Sequence, residues 1–439
     1  MAQLTSTSSI SNSSSNNENY ALGLYSVMAL FFMMGFITCL NDILIPYLKI
    51  LFQLNYTEVM LINTCFFGAY FFMSIPSGKI VHKIGYKKAM IVGFIIASVG
   101  CILFYPAASL RVYSLFLIAL FILATGITLL QVTGNPYVSI LGNPETSSSR
   151  LTLSQAFNSV GTTIAPLLGT YVILKNLPPI PDAIRQAKEY SHLTPEVKNI
   201  FDSFIASIDA TYVQYTYLII AGVLILIAGI IFMLRLPSIQ ANEIEESQSK
   251  SAWSFKHLRL GALGIFAYVG AEVAIGSFLV NYLGTHEVMG LEEKEAGNYV
   301  AFYWGGAMIG RFIGAYLLKV IKPTKILTFN ALASIVLVLI SIFSSGKISM
   351  LAILSVGLFN SVMFATIFTL AIADLGKYTN QGSGILCTAI VGGAIIPLLQ
   401  GKLADEVGLK TAFIIPIVCY LYIAWYAWKG NKHQAKVKL

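Results

Sequence analysis

Two carboxylates lie deep in apolar segments of this chain, where they could bind a cation or carry a proton. Asp42 lies near the end of an apolar run from Leu22 to Pro46, and Glu272 lies inside another. A carboxylate at membrane depth costs about 2.5–3.5 kcal/mol and usually marks an ion or substrate path. The alternative for Asp42 is a solvated position at the lipid headgroups. The apolar Ile-Leu-Ile-Pro that follows it favours the deeper position.

Amide side chains form a second set of residues that could bind a substrate. Gln131 and Asn135 are four residues apart, and Gln155 and Asn158 are three apart, so each pair shares a helix face. Amides both donate and accept hydrogen bonds, as sugar hydroxyls require, whereas the alternative is that they hold helices together. Aromatic rings would cover the C–H faces of the sugar. The predicted substrate site consists of Asn41, Gln131, Asn135, Gln155, Asn158, Glu272, Asn281, Asn360 and Phe364.

The elements that must position these residues are membrane-spanning helices. The chain has 439 residues, 56% hydrophobic and 11% charged, whereas soluble domains carry about 25% charged residues. A span needs about 20 apolar residues. We therefore predict an all-α membrane protein with twelve transmembrane helices in two six-helix bundles. The apolar segments run near 22–46, 58–80, 89–108, 112–141, 150–175, 212–235, 259–284, 296–319, 325–345, 349–374, 381–401 and 410–429.

Polar stretches divide the chain around these segments. The first residues are rich in Ser and Asn, which predicts disorder. A polar stretch separates the first six segments from the last six, and a long loop follows the fifth, with helical spacing in part of it. The predicted divisions are a tail at 1–20, a bundle at 21–235 with an external loop at 176–211, a linker at 236–258, a bundle at 259–429 and a basic tail at 430–439.

Loop charges orient the chain. Lys and Arg favour the cytoplasmic side, and placing both termini there puts 17 of the 28 Lys and Arg inside. A small residue followed by a basic loop occurs after the second and the eighth segments, as parallel transporter halves predict. The alternative is that any cytoplasmic loop is basic. We predict gating by Gly78, Lys83, Gly85, Lys87, Lys88, Arg311 and Lys319.

Other kinds of chemistry find little support. The five cysteines lie in apolar segments without the spacing of metal ligands or of a disulfide framework, so we expect no metal and no cofactor beyond a coupling H⁺ or Na⁺. The sequence has no nucleophile–base pair or phosphate loop, which argues against an enzyme. It has no long basic run, which argues against nucleic acid as a partner.

Five strings resemble the fucose/glucose–galactose permease branch of the major facilitator superfamily, and the resemblance covers nearly all of 22–429. They are Leu40-Asn41-Asp42-Ile43-Leu44, Asn135-Pro136-Tyr137-Val138, Gln155-Ala156-Phe157-Asn158-Ser159, Tyr268-Val269-Gly270-Ala271-Glu272 and Gly310-Arg311-Phe312-Ile313-Gly314. The cytoplasmic loop departs from the superfamily pattern, because His82 stands where an Asp is usual.

The resemblance implies cation-driven sugar uptake. In fucose permease, the carboxylate that matches Asp42 and a glutamate of the fourth span serve proton coupling, and the asparagine that matches Asn158 serves the sugar. Gln131 replaces that glutamate and cannot titrate. Gln131 and Glu272 are both similar to the glucose/galactose permeases of the branch.

We therefore predict glucose/galactose uptake by H⁺ or Na⁺ symport, with Asp42 and Glu272 as coupling groups. An L-fucose–proton symporter is the first alternative. A multidrug exporter, whose pocket should be mostly apolar, and a non-transporting membrane sugar sensor are the others. The expected partners are a monosaccharide, the cation and the lipid bilayer. We expect a monomer in the plasma membrane, which is the inner membrane in a bacterium.

Overall fold

A computed structural model describes residues 20–40, 56–172, 181, 194–207, 211–237, 251–291 and 293–430. Within these ranges every regular element is a helix. Asn41 and Asp42 lie outside the described residues. So do residues 1–19, most of the predicted loop at 176–211, most of the predicted linker, and 431–439.

The helices of the N-terminal half follow the predicted apolar segments, with one added helix in the long loop. They are α1 Tyr20–Leu40, α2 Tyr56–Leu110, α3 Tyr113–Ile140, α4 Ser147–Val172, α5 Pro195–Ser207 and α6 Thr211–Met233. In α5 we find part of the helix that the spacing of the loop at 176–211 predicts.

The C-terminal half has more breaks within its spans. Its helices are α7 Lys256–Gly284, α8 Glu293–Val320, α9 Pro323–Phe343, α10 Gly346–Asn360, α11 Met363–Ile372, α12 Thr379–Thr388, α13 Gly392–Val407, α14 Leu409–Ala412 and α15 Ile414–Trp425. A π-helical turn, Tyr426–Gly430, follows. Only two residues, Ser361 and Val362, separate α10 from α11, and this break lies beside the predicted site residue Asn360.

Gly85 breaks α2 into two limbs. Its φ of 77° and ψ of 166° belong to a region that glycine alone adopts readily. Nothing lies within 4 Å of where a Cβ would stand, so the backbone conformation rather than a lack of space requires glycine here. An unbroken helix of 55 residues would be about 82 Å long, far longer than a hydrocarbon core of about 30 Å.

The all-helical membrane architecture is confirmed. Each of the twelve predicted segments overlaps a helix, and nine helical stretches among the described residues are long and apolar enough to cross a membrane. Twelve crossings stay a prediction. Large apolar side chains such as Phe232, Met233 and Phe343 lie exposed on the outer surface, where lipid would cover them, whereas polar side chains such as Asn135 and Asn360 are buried inside.

The main chains of the two halves come close together where α2 meets α12. A Cβ on Gly78 would lie 2.8 Å from the carbonyl oxygen of Asn380, and a Cβ on Gly384 would lie 2.8 Å from that of Ser74. The Tyr86 hydroxyl donates a 2.5 Å hydrogen bond to Asn380 Oδ1. We call this contact, formed by Ser74, Gly78, Asn380 and Gly384, the glycine seam.

Candidate functional site

An ion pair lies inside the C-terminal half. Glu272 on α7 and Arg311 on α8 approach to 3.6 Å between Oε1 and a terminal guanidinium nitrogen. Their side chains are only 12% and 13% exposed. At this depth each charge compensates the other, since an isolated buried charge is costly. Among the described residues no group comes within hydrogen-bonding distance of Glu272 Oε1, but the Tyr268 hydroxyl and the Arg311 guanidinium both lie beside the carboxylate.

Arg311 also reaches the N-terminal half. Its NH1 donates to the hydroxyl of Ser159 on α4, and its Nε donates to the carbonyl oxygen of Ser361 at 3.3 Å. That carbonyl lies at the break between α10 and α11, where helix ends leave carbonyls without intrahelical partners. The sequence grouped Arg311 with the gating loops, but the structure places it within α8 and beside Glu272.

Asn360 is held on both sides by tyrosines. Tyr420 donates to Asn360 Oδ1 at 2.8 Å, and Asn360 Nδ2 donates to the Tyr303 hydroxyl at 2.9 Å. Tyr303 in turn donates to the main-chain oxygen of Glu272 at 3.2 Å. The predicted substrate residue Asn360 therefore ties α10 to α8 and α15, and through Tyr303 it supports α7.

Aromatic rings line one side of the ion pair. The ring of Tyr268, on α7, lies 6.3 Å from that of Phe364, and Phe364 stacks on Phe368 at 6.0 Å. Tyr268 and Glu272 are four residues apart and share a helix face. The buried Tyr268 hydroxyl has no hydrogen-bond partner among the described residues. It lies beside the Glu272 carboxylate and the Arg311 guanidinium, so the aromatic wall and the ion pair form one cluster.

The amides of the N-terminal half are only partly engaged. Gln131 accepts a 2.9 Å hydrogen bond from Tyr70, and Asn158 Nδ2 donates to the main-chain oxygen of Phe31 at 3.0 Å. The latter bond holds α4 against α1, where a Cβ on Gly35 would collide with the Asn158 carbonyl oxygen. No hydrogen bond engages the Gln155 amide within the described ranges. All three amide side chains are half-buried.

Asn135 lies between the halves. It is fully buried, its Nδ2 is 3.9 Å from the Cys387 sulfur on α12, and its Oδ1 has no partner in the described part of the chain. Beside it, Ser383 donates to the Val132 carbonyl oxygen at 2.8 Å. Asn135 therefore contacts the same helix that forms the glycine seam.

The remaining predicted residues occupy other places. Asn281 is exposed near the end of α7, about 13 Å along the helix from Glu272, so the structure does not bring it to the ion pair. Lys87 donates to the Phe232 carbonyl oxygen at 2.8 Å, at the end of α6. Gly78 forms the glycine seam, Gly85 breaks α2, and Lys83, Lys88 and Lys319 are exposed.

Sequence reasoning missed some residues of this network. Tyr420 carries no signal of its own, since a lone tyrosine in an apolar segment is ordinary, and Ser159 stands out only as the end of a string that resembles the family. Arg150 was missed as well, and its guanidinium donates to the carbonyl oxygens of Val138, Ser139 and Asn143 at 3.1, 2.8 and 2.7 Å. It thus fastens the end of α3 to the start of α4. The position of Arg150 directly after a short polar loop could have indicated this role from the sequence.

The arrangement has two apolar helical halves with polar groups between them, as in a membrane carrier. Among the described residues no three His, Cys, Asp or Glu side chains cluster as a metal site would require. Residues 26–389 match the family model described as Major Facilitator Superfamily. The chain belongs to the Major Facilitator Superfamily. It is therefore a multi-pass membrane transporter and not an enzyme.

Similar proteins indicate which branch of the Major Facilitator Superfamily the chain resembles. The chain is 52% identical over 420 residues to a glucose/galactose transporter of Brucella abortus, covering 95% of this chain and 96% of that one. It is 33% identical to the L-fucose-proton symporter of Escherichia coli, covering 94% and 93%. The crystal structure of the facilitator FucP in the outward conformation aligns with a TM-score of 0.85 and 32% identity, over 95% of this chain and 100% of that one. These similarities confirm the predicted fucose/glucose–galactose branch.

Proposed function

We propose that this facilitator takes up a hexose, glucose or galactose, by symport with a cation. The observation that carries the proposal is the 52% identity, over nearly the whole of both chains, to a glucose/galactose transporter. The half-buried amides of α3 and α4 fit a sugar as ligand, because they keep hydrogen-bonding capacity that sugar hydroxyls could use.

The proposed mechanism is alternating access, in which the halves rock about a site near the membrane midplane. The chain would cross the membrane twelve times with both termini in the cytoplasm. The glycine seam would then close the cytoplasmic end, since Gly78 lies just before the basic residues Lys83, Lys87 and Lys88 around the Gly85 break. We infer that the described state opens outward.

Asp42 is the proposed coupling residue. It lies outside the described residues, so the proposal rests on its place in the sequence and on the family resemblance. Binding of H⁺ or Na⁺ would neutralise the carboxylate before the loaded carrier reorients, because moving an uncompensated charge through a closed site is costly. We expect Asp42→Asn to abolish sugar accumulation and to leave exchange of sugar measurable.

An L-fucose–proton symporter is the second candidate, and the 33% identity to such a protein supports it. Gln131 favours the hexose, since its amide can donate as well as accept, whereas the ionised glutamate of fucose permease at this place only accepts. Sites that hydrogen-bond particular hydroxyls discriminate strongly against analogues that leave those groups unpaired.

The test is uptake by the purified protein in proteoliposomes. Counterflow of labelled D-glucose and D-galactose should occur without any gradient, and accumulation should require either a pH or a Na⁺ gradient, which identifies the ion. L-Fucose should compete poorly. Potent competition by L-fucose, with little by either hexose, would identify L-fucose as the substrate instead of a hexose. Binding of sugar without flux in any condition would favour a sensor and overturn the transport proposal.

A further inference from the structure

The contacts of Arg311 constrain what Glu272 can do. A guanidinium is permanently charged and can only donate hydrogen bonds. Arg311 is largely buried inside the protein, and within the described ranges Glu272 is the carboxylate that lies against it. If Glu272 were neutralised by a proton, Arg311 would be left as an uncompensated buried charge, the costly half of a broken pair.

A metal cation at Glu272 would meet the same obstacle. Any cation bound to this carboxylate would lie within a few ångströms of the guanidinium, and like charges repel strongly at that separation in a partly buried site. Within the described residues, the other polar groups near this carboxylate are the Tyr268, Tyr303 and Tyr420 hydroxyls, which carry no negative charge to offset the repulsion. The sequence placed Glu272 with Asp42 as a coupling group, and the geometry favours a different role.

Ser159 makes the ion pair relevant to transport. Its hydroxyl accepts from Arg311 while it donates to the Gln155 carbonyl oxygen at 3.3 Å. It is buried and directly follows Asn158 on the predicted sugar helix. When the halves rock, the distance between α4 and α8 must change, and the contact between Arg311 and Ser159 must break or shift.

We propose that Glu272 is the counter-ion of Arg311 and not a binding site for the coupling cation, and that it positions Arg311 to link the C-terminal half to Ser159 of the N-terminal half. Glu272 is thus a positioning residue. Arg311 links the two halves in the described state. The coupling cation binds elsewhere. This inference rests on the proposed function, because it assigns a role within the cation-driven cycle.

The test compares single and double neutralisation. Glu272→Gln and Arg311→Gln should each reduce sugar accumulation by at least about tenfold and lower the unfolding temperature in detergent, because each leaves an unpaired buried charge. The double variant E272Q/R311Q should regain both the unfolding temperature and accumulation against a gradient. Arg259→Gln, which removes an exposed positive charge from α7, is the matched control and should behave like the parent.

The decisive measurement separates accumulation from exchange. A double variant that exchanges sugar in counterflow but never concentrates it would assign the coupling cation to Glu272 and overturn the inference. A double variant no more stable or active than the singles would also overturn it, since charge compensation would then not be the role. If the parent protein itself does not accumulate sugar, the result contradicts the proposed function, and the roles of Glu272 and Arg311 in cation-driven uptake fall with it.

A second measurement tests the link to Ser159. In a variant that keeps Cys387 and replaces the other four cysteines, Ser159→Ala should increase labelling of Cys387 by a membrane-permeant maleimide. The expected change is about threefold, the population shift that corresponds to one lost interhelical hydrogen bond. Ser154→Ala on the same helix removes a buried hydroxyl whose one hydrogen bond among the described residues is to the Arg150 carbonyl oxygen, and it should not change labelling. Unchanged labelling in Ser159→Ala would contradict the proposed link.

Discussion

The amides of the two halves use their hydrogen-bonding capacity differently. In the C-terminal half, Asn360 accepts a hydrogen bond from Tyr420 and donates one to Tyr303, so neighbouring helices engage both the oxygen and the nitrogen of its amide. In the N-terminal half, Gln131 accepts one bond, and the half-buried Gln155 amide makes none within the described ranges. Among these predicted sugar-binding amides, free capacity therefore lies with Gln131 and Gln155 and rigid support lies with Asn360. Outside that set, the buried Gln400 amide on α13 of the C-terminal half also has no hydrogen-bond partner among the described residues.

This difference separates two roles that a sequence pattern cannot distinguish. An amide whose bonds are spent on its neighbours holds helices together, whereas an amide with unused donors and acceptors can exchange water for sugar hydroxyls. The comparison predicts that variants of the N-terminal amides change sugar affinity. Variants of the C-terminal network should change stability.

Both roles require that the two halves can close on each other. Preventing that closure should therefore have the largest effect on transport. Gly78→Leu would place side-chain atoms against the Asn380 carbonyl oxygen in the glycine seam. The atoms nearest to Gly78 are the main-chain carbonyl of Asn380 and the Cα of Gly384. Because these are main-chain atoms, a rotamer change of the neighbours cannot relieve the clash. We expect transport to fall at least about tenfold and Cys387 labelling to rise.

The control for this change is Gly222→Leu on α6. Gly222 is exposed, and nothing lies within 4 Å of its hypothetical Cβ, so transport should stay near that of the parent. Normal transport by Gly78→Leu would mean that the seam does not need to close.

Gln155→Ala tests the N-terminal half directly. Removing an amide that pairs with a sugar hydroxyl should weaken sugar binding by about 1–3 kcal/mol, measured by calorimetric titration, with little change in unfolding temperature. Gln214→Ala, which removes an exposed amide bonded to Ser109, should leave affinity unaltered. Equal affinities in all three proteins would remove Gln155 from the sugar site.

Asn360→Leu tests the other half. The loss of two interhelical hydrogen bonds, each worth about 0.6 kcal/mol in membrane proteins, should cost about 1 kcal/mol of stability. Thermal unfolding in detergent would measure this. Sugar affinity should change less than in Gln155→Ala. A large loss of affinity at unchanged stability would reverse the assignment of roles.

Tyr70→Phe has the smallest expected effect. It removes the hydrogen bond that orients Gln131, and we expect at most about a threefold loss of hexose affinity, equivalent to one such bond. The control is Tyr25→Phe, since Tyr25 is an exposed side chain on α1. A much larger loss in Tyr70→Phe would indicate that Tyr70 itself contacts the sugar.

The sequence predicts the helices and the branch of the superfamily well, because apolar segment length and short local strings determine both. It also predicts that Glu272 and the amides point inward. It could not predict which helix each side chain meets. The pairing of Glu272 with Arg311, the tyrosines around Asn360 and the remote position of Asn281 depend on how helices distant in the chain pack, and helical periodicity contains no information on that.

Gly85 has a consequence for how the chain is threaded into the membrane. Every turn between crossings reverses the direction of the chain, so the number of turns before a given residue determines the side on which it emerges. If the two limbs of α2 are separate crossings, as the twelve-helix prediction has it, Gly85 supplies one of these reversals with no connecting loop. The side reached by every later segment depends on that reversal, and the neighbouring lysines, by resisting translocation, help to fix it during insertion.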